Sequence, residues 1–559
     1  MHFATWLVRS GAMVQRLAMK ERLLLIGVLW VGLALRLPLL DRFPFHQDEA
    51  IYGYWARYAR HVDPFFLHVW PDKPPLYLWL LSGTFELLGT TPAAARLLNI
   101  AISTLTIAAV AALARTWWGA RAGVLAGLLL ALNPFAISFA PTAFTDPLLV
   151  LAGMLALLNA VHRRFFWMGV WLGVAIMTKQ QGVFFIPLAL GFALYVQRSH
   201  GRLLHRATAG GVGFLLVVAP VVWWDSLRWA VAPSPWDLGA RNAGGLTLAA
   251  PGQWFARAPA WLELGGHLLG SGWLWWLSLV LLTFGAFRRR QLHRAPDAAP
   301  ALGLALWGAA FLALHIVTTV QIWDRYLLPL APIVALLLTF ALEATLNAGV
   351  VWKPHIAITP KIAGWTPHLL TMLLMAPLLW PAVQAAQGRL PIGGDHGAYT
   401  GLETVAAWLN DHADARPIVY QRNLGWHFQF YLFDTVQAGQ ADLRWYPSTV
   451  YLADNAAKTP HRPRYLVVAD WSPERNLTSQ LAWRRLRTQM RLRAGNFTVY
   501  EVVEMATTPA PWRVCREEAQ DAGQGATMTE VDNVATFAGF VQQALPQSQL
   551  AACLVGEKP

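Results

Sequence analysis

Cysteine is nearly absent from this sequence. Its 559 residues include two, Cys515 and Cys553, both near the C-terminal end. That scarcity excludes a small secreted scaffold held by disulfides. Their shared location fits an oxidising compartment for the C-terminal region, where a bridge between them would restrict the tail. Charge is also scarce. Asp, Glu, Lys and Arg make up 13% of the chain, against roughly 25% in soluble domains. Hydrophobic residues reach 56%. Together these exclude a disordered chain and a conventional cytosolic enzyme and leave a polytopic membrane protein. Acidic residues are fewer than basic ones, 31 against 44. In such a chain the basic excess is read against membrane topology, not nucleic acid. No small-residue cleavage site follows the first apolar run, Leu23 to Leu40, which gives way to Asp41-Arg42-Phe43-Pro44. The run therefore reads as an uncleaved first span. No internal repeat or low-complexity tract stands out.

A helix needs about 20 apolar residues to cross roughly 30 Å of hydrocarbon. Apolar stretches lie near 21–40, 74–90, 95–115, 120–138, 145–161, 165–178, 181–197, 207–229, 270–287, 301–322, 326–346 and 368–386. Basic clusters follow every second stretch: Arg115 to Arg121, His162-Arg163-Arg164, Arg198 to Arg206, Arg288 to Arg294, and Lys353 to Lys361. Positive residues stay on the cytoplasmic side. The basic N-terminus joins that side only if 74–90 does not cross. The expected fold is therefore a polytopic α-helical membrane protein of 11 transmembrane helices with added juxtamembrane helices. Its N-terminus is cytoplasmic. Residues 1–386 form the transmembrane domain, with large outer loops at 41–94 and 230–269. Residues 387–559 form an extracytoplasmic α/β domain. There, 416–420, 465–470 and 496–501 read as strands, short and β-branched or aromatic. Residues 402–412 and 531–544 have helical apolar spacing.

On this topology, ionisable groups converge on the outer boundary: Arg36, Asp48, Glu49, Asp72, Lys73, Arg96, Asp146, Lys179, Asp324 and Arg325. Charges at membrane depth are expensive and face a cavity or a partner. Each has two readings. Asp48 is either a helix N-cap with Glu49 a first-turn charge, or this carboxylate pair offers a general base or a metal ligand. Lys73, in Asp72-Lys73-Pro74-Pro75-Leu76-Tyr77, is either part of a loop-to-helix joint or a point charge for a phosphate. Thr145 or Asp146 is either a cap or part of a site. Lys179, ending a span in Thr178-Lys179-Gln180-Gln181, either snorkels or faces a ligand. Arg325, in Trp323-Asp324-Arg325-Tyr326-Leu327-Leu328-Pro329, either pairs with Asp324 or reaches a lipid phosphate. His267 precedes the span at 270–287, and a lone His is more often structural than a ligand. Trp223, Trp224, Trp229, Trp254, Trp261 and Trp273 read as interfacial anchors.

The order of these motifs resembles the GT-C membrane glycosyltransferases of the protein O-mannosyltransferase and lipid A aminoarabinose transferase type. The resemblance runs over about residues 20–350. It rests on Asp48-Glu49 in the first outer loop, Lys73-Pro74-Pro75-Leu76-Tyr77, Thr145-Asp146-Pro147-Leu148, Thr178-Lys179, and Arg325-Tyr326-Leu327-Leu328-Pro329. It implies transfer of a sugar, with inversion, from a polyprenyl-phosphate donor to a glycan, lipid or protein acceptor outside the cytoplasm. It implies residence in a membrane, here taken as a bacterial plasma membrane. Asp48 then matches the general base and Asp146 the second functional Asp. Lys73, Arg325, Tyr326, Lys179 and Arg96 are the groups expected at the donor phosphate. A divalent cation is a further expectation, with Glu49, Asp72 and His267 as its ligands. Asp72 stands where the family usually has Glu. The residue types suit the chemistry, because cations stabilise the charge left on a departing phosphate and a carboxylate takes the acceptor's proton. Two other classes remain open at this point. A transporter or flippase of lipid-linked sugars would want mid-membrane charges and paired repeats. A non-catalytic assembly or sensor protein would use the outer domain to bind.

Overall fold

The computed structural model describes residues 19–196, 203–242, 247–272, 297–351 and 375–505. Cys515, Cys553 and the helix expected at 531–544 lie outside the described residues. The chain divides into two compact units. One is Met1–Phe43 with Trp55–His396, and the other is Pro44–Tyr54 with Gly397–Pro559. The second unit thus takes in a segment that a division at 386/387 assigns to the first.

The first unit is helical. Among the described residues three helices are long and apolar enough to cross a membrane: Pro92–Trp118, Leu204–Arg228 and Ala299–Val317. Shorter apolar helices accompany them, among them Leu76–Leu88, Ala120–Ala131, Asp146–Val161 and Phe165–Thr178. Leu76–Leu88 has 13 residues and rises about 20 Å, short of the hydrocarbon thickness. Helix Pro92–Trp118 begins at Thr91, whose hydroxyl accepts from the Ala94 amide, with Pro92 in the first turn. The stretch expected at 120–138 is broken in two. Ala120–Ala131 ends, and Asn133 caps a new helix, Pro134–Phe139, by accepting from the Ala136 amide. Arg36, at the end of helix Met19–Arg36, covers the freed carbonyls. Its guanidinium donates to Ala131 at 3.1 Å and Leu130 at 3.2 Å, and to the Ser103 hydroxyl at 2.9 Å. A cation on helix C-terminal carbonyls is favourable in itself, so this buried arginine is structural.

The second unit holds a five-stranded sheet in the order β2-β1-β3-β5-β4. Its strands are β1 Ile418–Gln421, β2 Asp442–Trp445, β3 Arg464–Ala469, β4 Leu486–Ala494 and β5 Phe497–Glu504. β1 runs parallel to β2 and β3, whereas β5 is antiparallel to β3 and β4. Alternation along the strands feeds two cores. Val419, Tyr465, Val467 and Val499 pack with helix Leu402–Asp411 on one face. Ile418, Tyr420, Leu466 and Val502 pack with Leu452 and Leu481 on the other. The three expected strands and the helix at 402–412 are present. β2 and β4, both at sheet edges, are additional.

Helix Gln47–His61 begins in this second unit. His46 caps it: its Nδ1 accepts from the Asp48 amide at 3.1 Å, and Glu49 reaches back to the His46 amide at 2.8 Å. That is a capping box with histidine in the cap position. Asp48 is therefore not the N-cap.

Candidate active site

In the first unit, two segments distant in sequence deliver one buried ion pair. Asn99, on helix Pro92–Trp118, donates to the carbonyls of Thr142 at 2.6 Å and Phe144 at 2.7 Å. This fixes the turn that leads into helix Asp146–Val161. Thr145 makes no side-chain cap, and Asp146 in the first helical turn is 1% exposed. Helix Phe165–Thr178 ends where Lys179 takes an extended backbone. Lys179 Nζ then lies 2.5 Å from Asp146 Oδ1 and 4.3 Å from the ring centre of Tyr326. At 4% exposure Lys179 does not snorkel.

Around this pair other cations gather. Lys73 and Arg325 both act electrostatically on the Lys179 charge. Lys73 Nζ is 2.7 Å from Asp72 Oδ2, and that same oxygen accepts from Asn242 at 3.1 Å. The Arg325 guanidinium lies over the rings of Phe144 and Trp323, 5.1 and 5.4 Å from their centres. Asp324 uses both oxygens on backbone amides, those of Arg325 at 2.7 Å and Gly393 at 3.1 Å. Gly393 has φ +87°, and a Cβ there would sit 2.6 Å from the Ser138 carbonyl oxygen. Only glycine suits this backbone and this approach.

Lys73, Lys179 and Tyr326 line a cavity of about 350 Å³, together with Gln180, Gln181 and His315. The rest of its wall is largely apolar, including Val183, Phe184, Trp236 and Leu314. Gln180 Nε2 ties two loops together, donating to the carbonyls of Asp72 at 2.9 Å and Pro235 at 3.0 Å. A Cβ at Gly239 would fall 2.3 Å from that nitrogen, so the close approach of helix Pro235–Asn242 depends on glycine. Arg257, on helix Pro251–Gly266, shapes the opposite edge by donating to the carbonyls of His315, Ile316 and Val320. Phe184 is held by Trp307, whose indole donates to its carbonyl at 2.7 Å.

Arg96 and His267 do not line this cavity. Arg96 is buried and donates to the carbonyls of Phe43 at 2.7 Å and Leu40 at 3.3 Å, a clamp on the start of the first loop. His267 is the residue that closes helix Pro251–Gly266. Asp48 and Glu49 belong to the second unit, where Glu49 is buried.

The expected cation ligands do not fit a metal. The Asp72 carboxylate receives an ammonium and an amide, Glu49 receives the His46 amide, and His267 ends a helix. Among the described residues no three His, Cys, Asp or Glu side chains gather as a donor set, short of what Zn²⁺ or Ca²⁺ takes from a protein.

Gln181 and His315 are site residues that sequence reasoning passed over. The signal was present but thin: two amides directly after a span-ending lysine, and one histidine in the last turn of an apolar helix.

Residues 72–224 match the family model described as dolichyl-phosphate-mannose-protein mannosyltransferase. No curated protein matches the chain. Among solved structures, the chain is similar to ArnT from Cupriavidus metallidurans bound to undecaprenyl phosphate. The TM-score is 0.56 at 19% identity, covering 85% of this chain and 97% of that one. It is also similar to the oligosaccharyltransferase of Archaeoglobus fulgidus, with TM-score 0.53, 12% identity, and coverage of 80% and 69%. That organism's AglB in complex with an inhibitory peptide and a dolichol-phosphate gives TM-score 0.50 at 12% identity, covering 86% and 74%. The chain thus shares its fold with these structures over most of its length.

Proposed function

We propose that this protein is an integral-membrane glycosyltransferase that moves a sugar, with inversion, from a polyprenyl-phosphate donor to an extracytoplasmic acceptor. The observation that carries the reading is the cavity. Two cations, Lys73 and Lys179, line it beside an apolar wall, and a third, Arg325, acts electrostatically on Lys179. A prenyl phosphate needs that combination: cations for the phosphate and apolar surface for the chain. Two structures of similar fold contain undecaprenyl phosphate or dolichol-phosphate, which supports the same class of donor here. The family match over 72–224 supports sugar transfer.

In this reaction an acceptor hydroxyl oxygen bonds to the anomeric carbon. The bond from that carbon to the phosphate oxygen breaks, and the phosphate leaves with the electron pair. Lys73 and Arg325 stabilise the growing negative charge. Asp146 holds Lys179 in place, and the acceptor's proton passes to a carboxylate, the role that the motif order gives to Asp48. No step is routed through a metal. The finer topology belongs to the same proposal: 11 spans, a cytoplasmic N-terminus, an outward C-terminal domain and a bacterial plasma membrane. Cysteine substitutions at Gly89 and Gly201 would then label from outside and inside respectively, and cytoplasmic labelling at Gly89 would overturn it.

The functional test is transfer of radiolabelled sugar from a polyprenyl-phosphate donor by purified protein. Lys73→Ala should weaken donor binding by about 10- to 100-fold, the loss of one charge-assisted hydrogen bond. Asp48→Asn should keep donor binding and lower turnover by roughly 10²–10⁴-fold. Movement of intact donor across vesicles without bond cleavage would instead indicate a flippase. Unchanged donor affinity in Lys73→Ala would remove the cavity from the donor site.

A further inference from the structure

One side chain that lines the cavity carries an acceptor atom that no group among the described residues satisfies. Gln181 Nε2 donates to the Tyr326 carbonyl at 3.1 Å and meets His315 Nε2 at 3.0 Å. A carbonyl oxygen can only accept, so the nitrogen of the Gln181 amide is assigned by chemistry. His315 agrees with it. Its Nδ1 lies 2.8 Å from the Phe311 carbonyl, which requires the proton on Nδ1 and leaves Nε2 with a lone pair for the amide. The chain of bonds runs one way, from Gln181 through His315 to the Phe311 carbonyl. Rings of Phe311 and Trp261 pack on the imidazole, 4.4 and 5.1 Å between centres, and hold it in that orientation. Gln181 Oε1 is thereby fixed, and it is buried with no hydrogen-bond partner.

A buried acceptor without a donor costs free energy unless something fills it. We propose that Gln181 Oε1 receives a hydroxyl of the sugar carried by the lipid phosphate, making Gln181 a specificity-determining residue. This rests on the reading of the cavity as the donor site. The partner must bring a proton. An ionised phosphate brings only acceptor oxygens, which the Oε1 lone pairs repel. The same cavity therefore separates its two tasks: Lys73 and Lys179 meet the anionic phosphate, and Gln181 meets a neutral donor group beyond it. His315 acts as a positioning residue, because its lone pair fixes which way the Gln181 amide faces.

The test compares binding of undecaprenyl phosphate with binding of the same carrier bearing mannose, by native mass spectrometry of the full-length protein. Wild type should favour the mannosyl carrier. Gln181→Met, similar in length but without an acceptor oxygen, should lose that preference by roughly tenfold, the mannosyl carrier weakening about tenfold more than the bare carrier. Carriers bearing monodeoxymannoses complete a cycle. Removal of one particular hydroxyl should weaken wild type but not Gln181→Met, the non-additivity expected of groups in contact. His315→Leu should blunt the same preference, because the amide is then free to flip. If Gln181→Met weakens both carriers equally, the role is structural and the proposal fails. If the preference survives and only acceptor KM rises, the hydroxyl belongs to the acceptor and the proposal fails. If wild type binds the bare carrier and gains nothing from the sugar, the proposal falls while the cavity reading stands. Binding of neither carrier defeats both.

Discussion

Two buried titratable groups, one in each unit, are stabilised in opposite ways. In the membrane unit a buried carboxylate and a buried ammonium are matched to each other. Asp146 meets Lys179, both almost fully buried. In the C-terminal unit the most deeply buried titratable side chain with a marked shift is His427, and it is neutral. Its Nε2 lies 3.0 Å from the Phe45 carbonyl and so carries the proton, while the buried Nδ1 has no partner among the described residues. Burial lowers its pKa to about 3. The nearby His46 charge pushes the same way, and the Phe45 hydrogen bond and Glu49 oppose it. A matched pair is sensitive to loss of its partner, and a neutral imidazole is sensitive to acid. The two units should therefore fail under different insults.

The largest effect belongs to the membrane pair. Asp146→Ala or Lys179→Met leaves one charge buried and alone, which costs about 3–5 kcal/mol. Equilibrium unfolding in mixed detergent micelles reads this directly. The double variant should recover much of the loss, because neither charge then remains. A double variant as damaged as the sum of the singles would show that the pair is not matched, and the contrast between the units would break.

The second effect belongs to His427. Its folded pKa lies below the unfolded value of about 6.5. Between those values the unfolded chain takes a proton that the folded chain refuses, so stability falls as pH falls. The loss begins near pH 6.5, runs at about 1.4 kcal/mol per pH unit, and levels off near the folded pKa of about 3. His427→Gln keeps an N–H for the Phe45 carbonyl and cannot take up a proton in this window. Denaturant unfolding of the C-terminal unit within the full-length protein, followed by protease sensitivity at pH 6.5 and pH 4.5, should show a smaller acid loss in this variant. Equal losses would assign the acid sensitivity to other groups.

How much of this was legible in the sequence follows the same divide. Local signals survived well. Strands β1, β3 and β5 were readable because β-branched and aromatic residues cluster there, and helix Leu402–Asp411 because its apolar residues repeat at helical spacing. β4 was missed because Leu486–Ala494 carries three arginines on a sheet edge and, Thr488 apart, no β-branched or aromatic residue. Its pairing with β5 makes it a strand, not its own propensity. In the membrane unit, Asp146 and Lys179 were each singled out, but their bond was not, since nothing local links positions 33 apart. The break at Asn133 was hidden inside an unbroken apolar run. Gln181 and His315 were hidden by ordinariness, because only the direction of their hydrogen bonds makes them a site.

The smallest effect sharpens the comparison by removing burial from the pair. Arg493 and Asp470, in the C-terminal unit, form a two-pronged pair at 2.8 and 2.5 Å, a geometry as good as that of Asp146 and Lys179. Their side chains are 52% and 45% exposed. Water already solvates both charges and salt screens them, so such a pair contributes about 0.2–1 kcal/mol. Arg493 also donates to the Thr498 hydroxyl at 2.6 Å. The informative quantity is therefore the coupling in a double-mutant cycle, not the loss from Arg493→Ala alone. The Arg493–Asp470 coupling should fall below about 1 kcal/mol and shrink as salt is raised. The Asp146–Lys179 coupling should be several-fold larger and nearly independent of salt, because ions do not reach it. If the two couplings came out alike, distance and geometry would set the strength of these pairs, and burial would not.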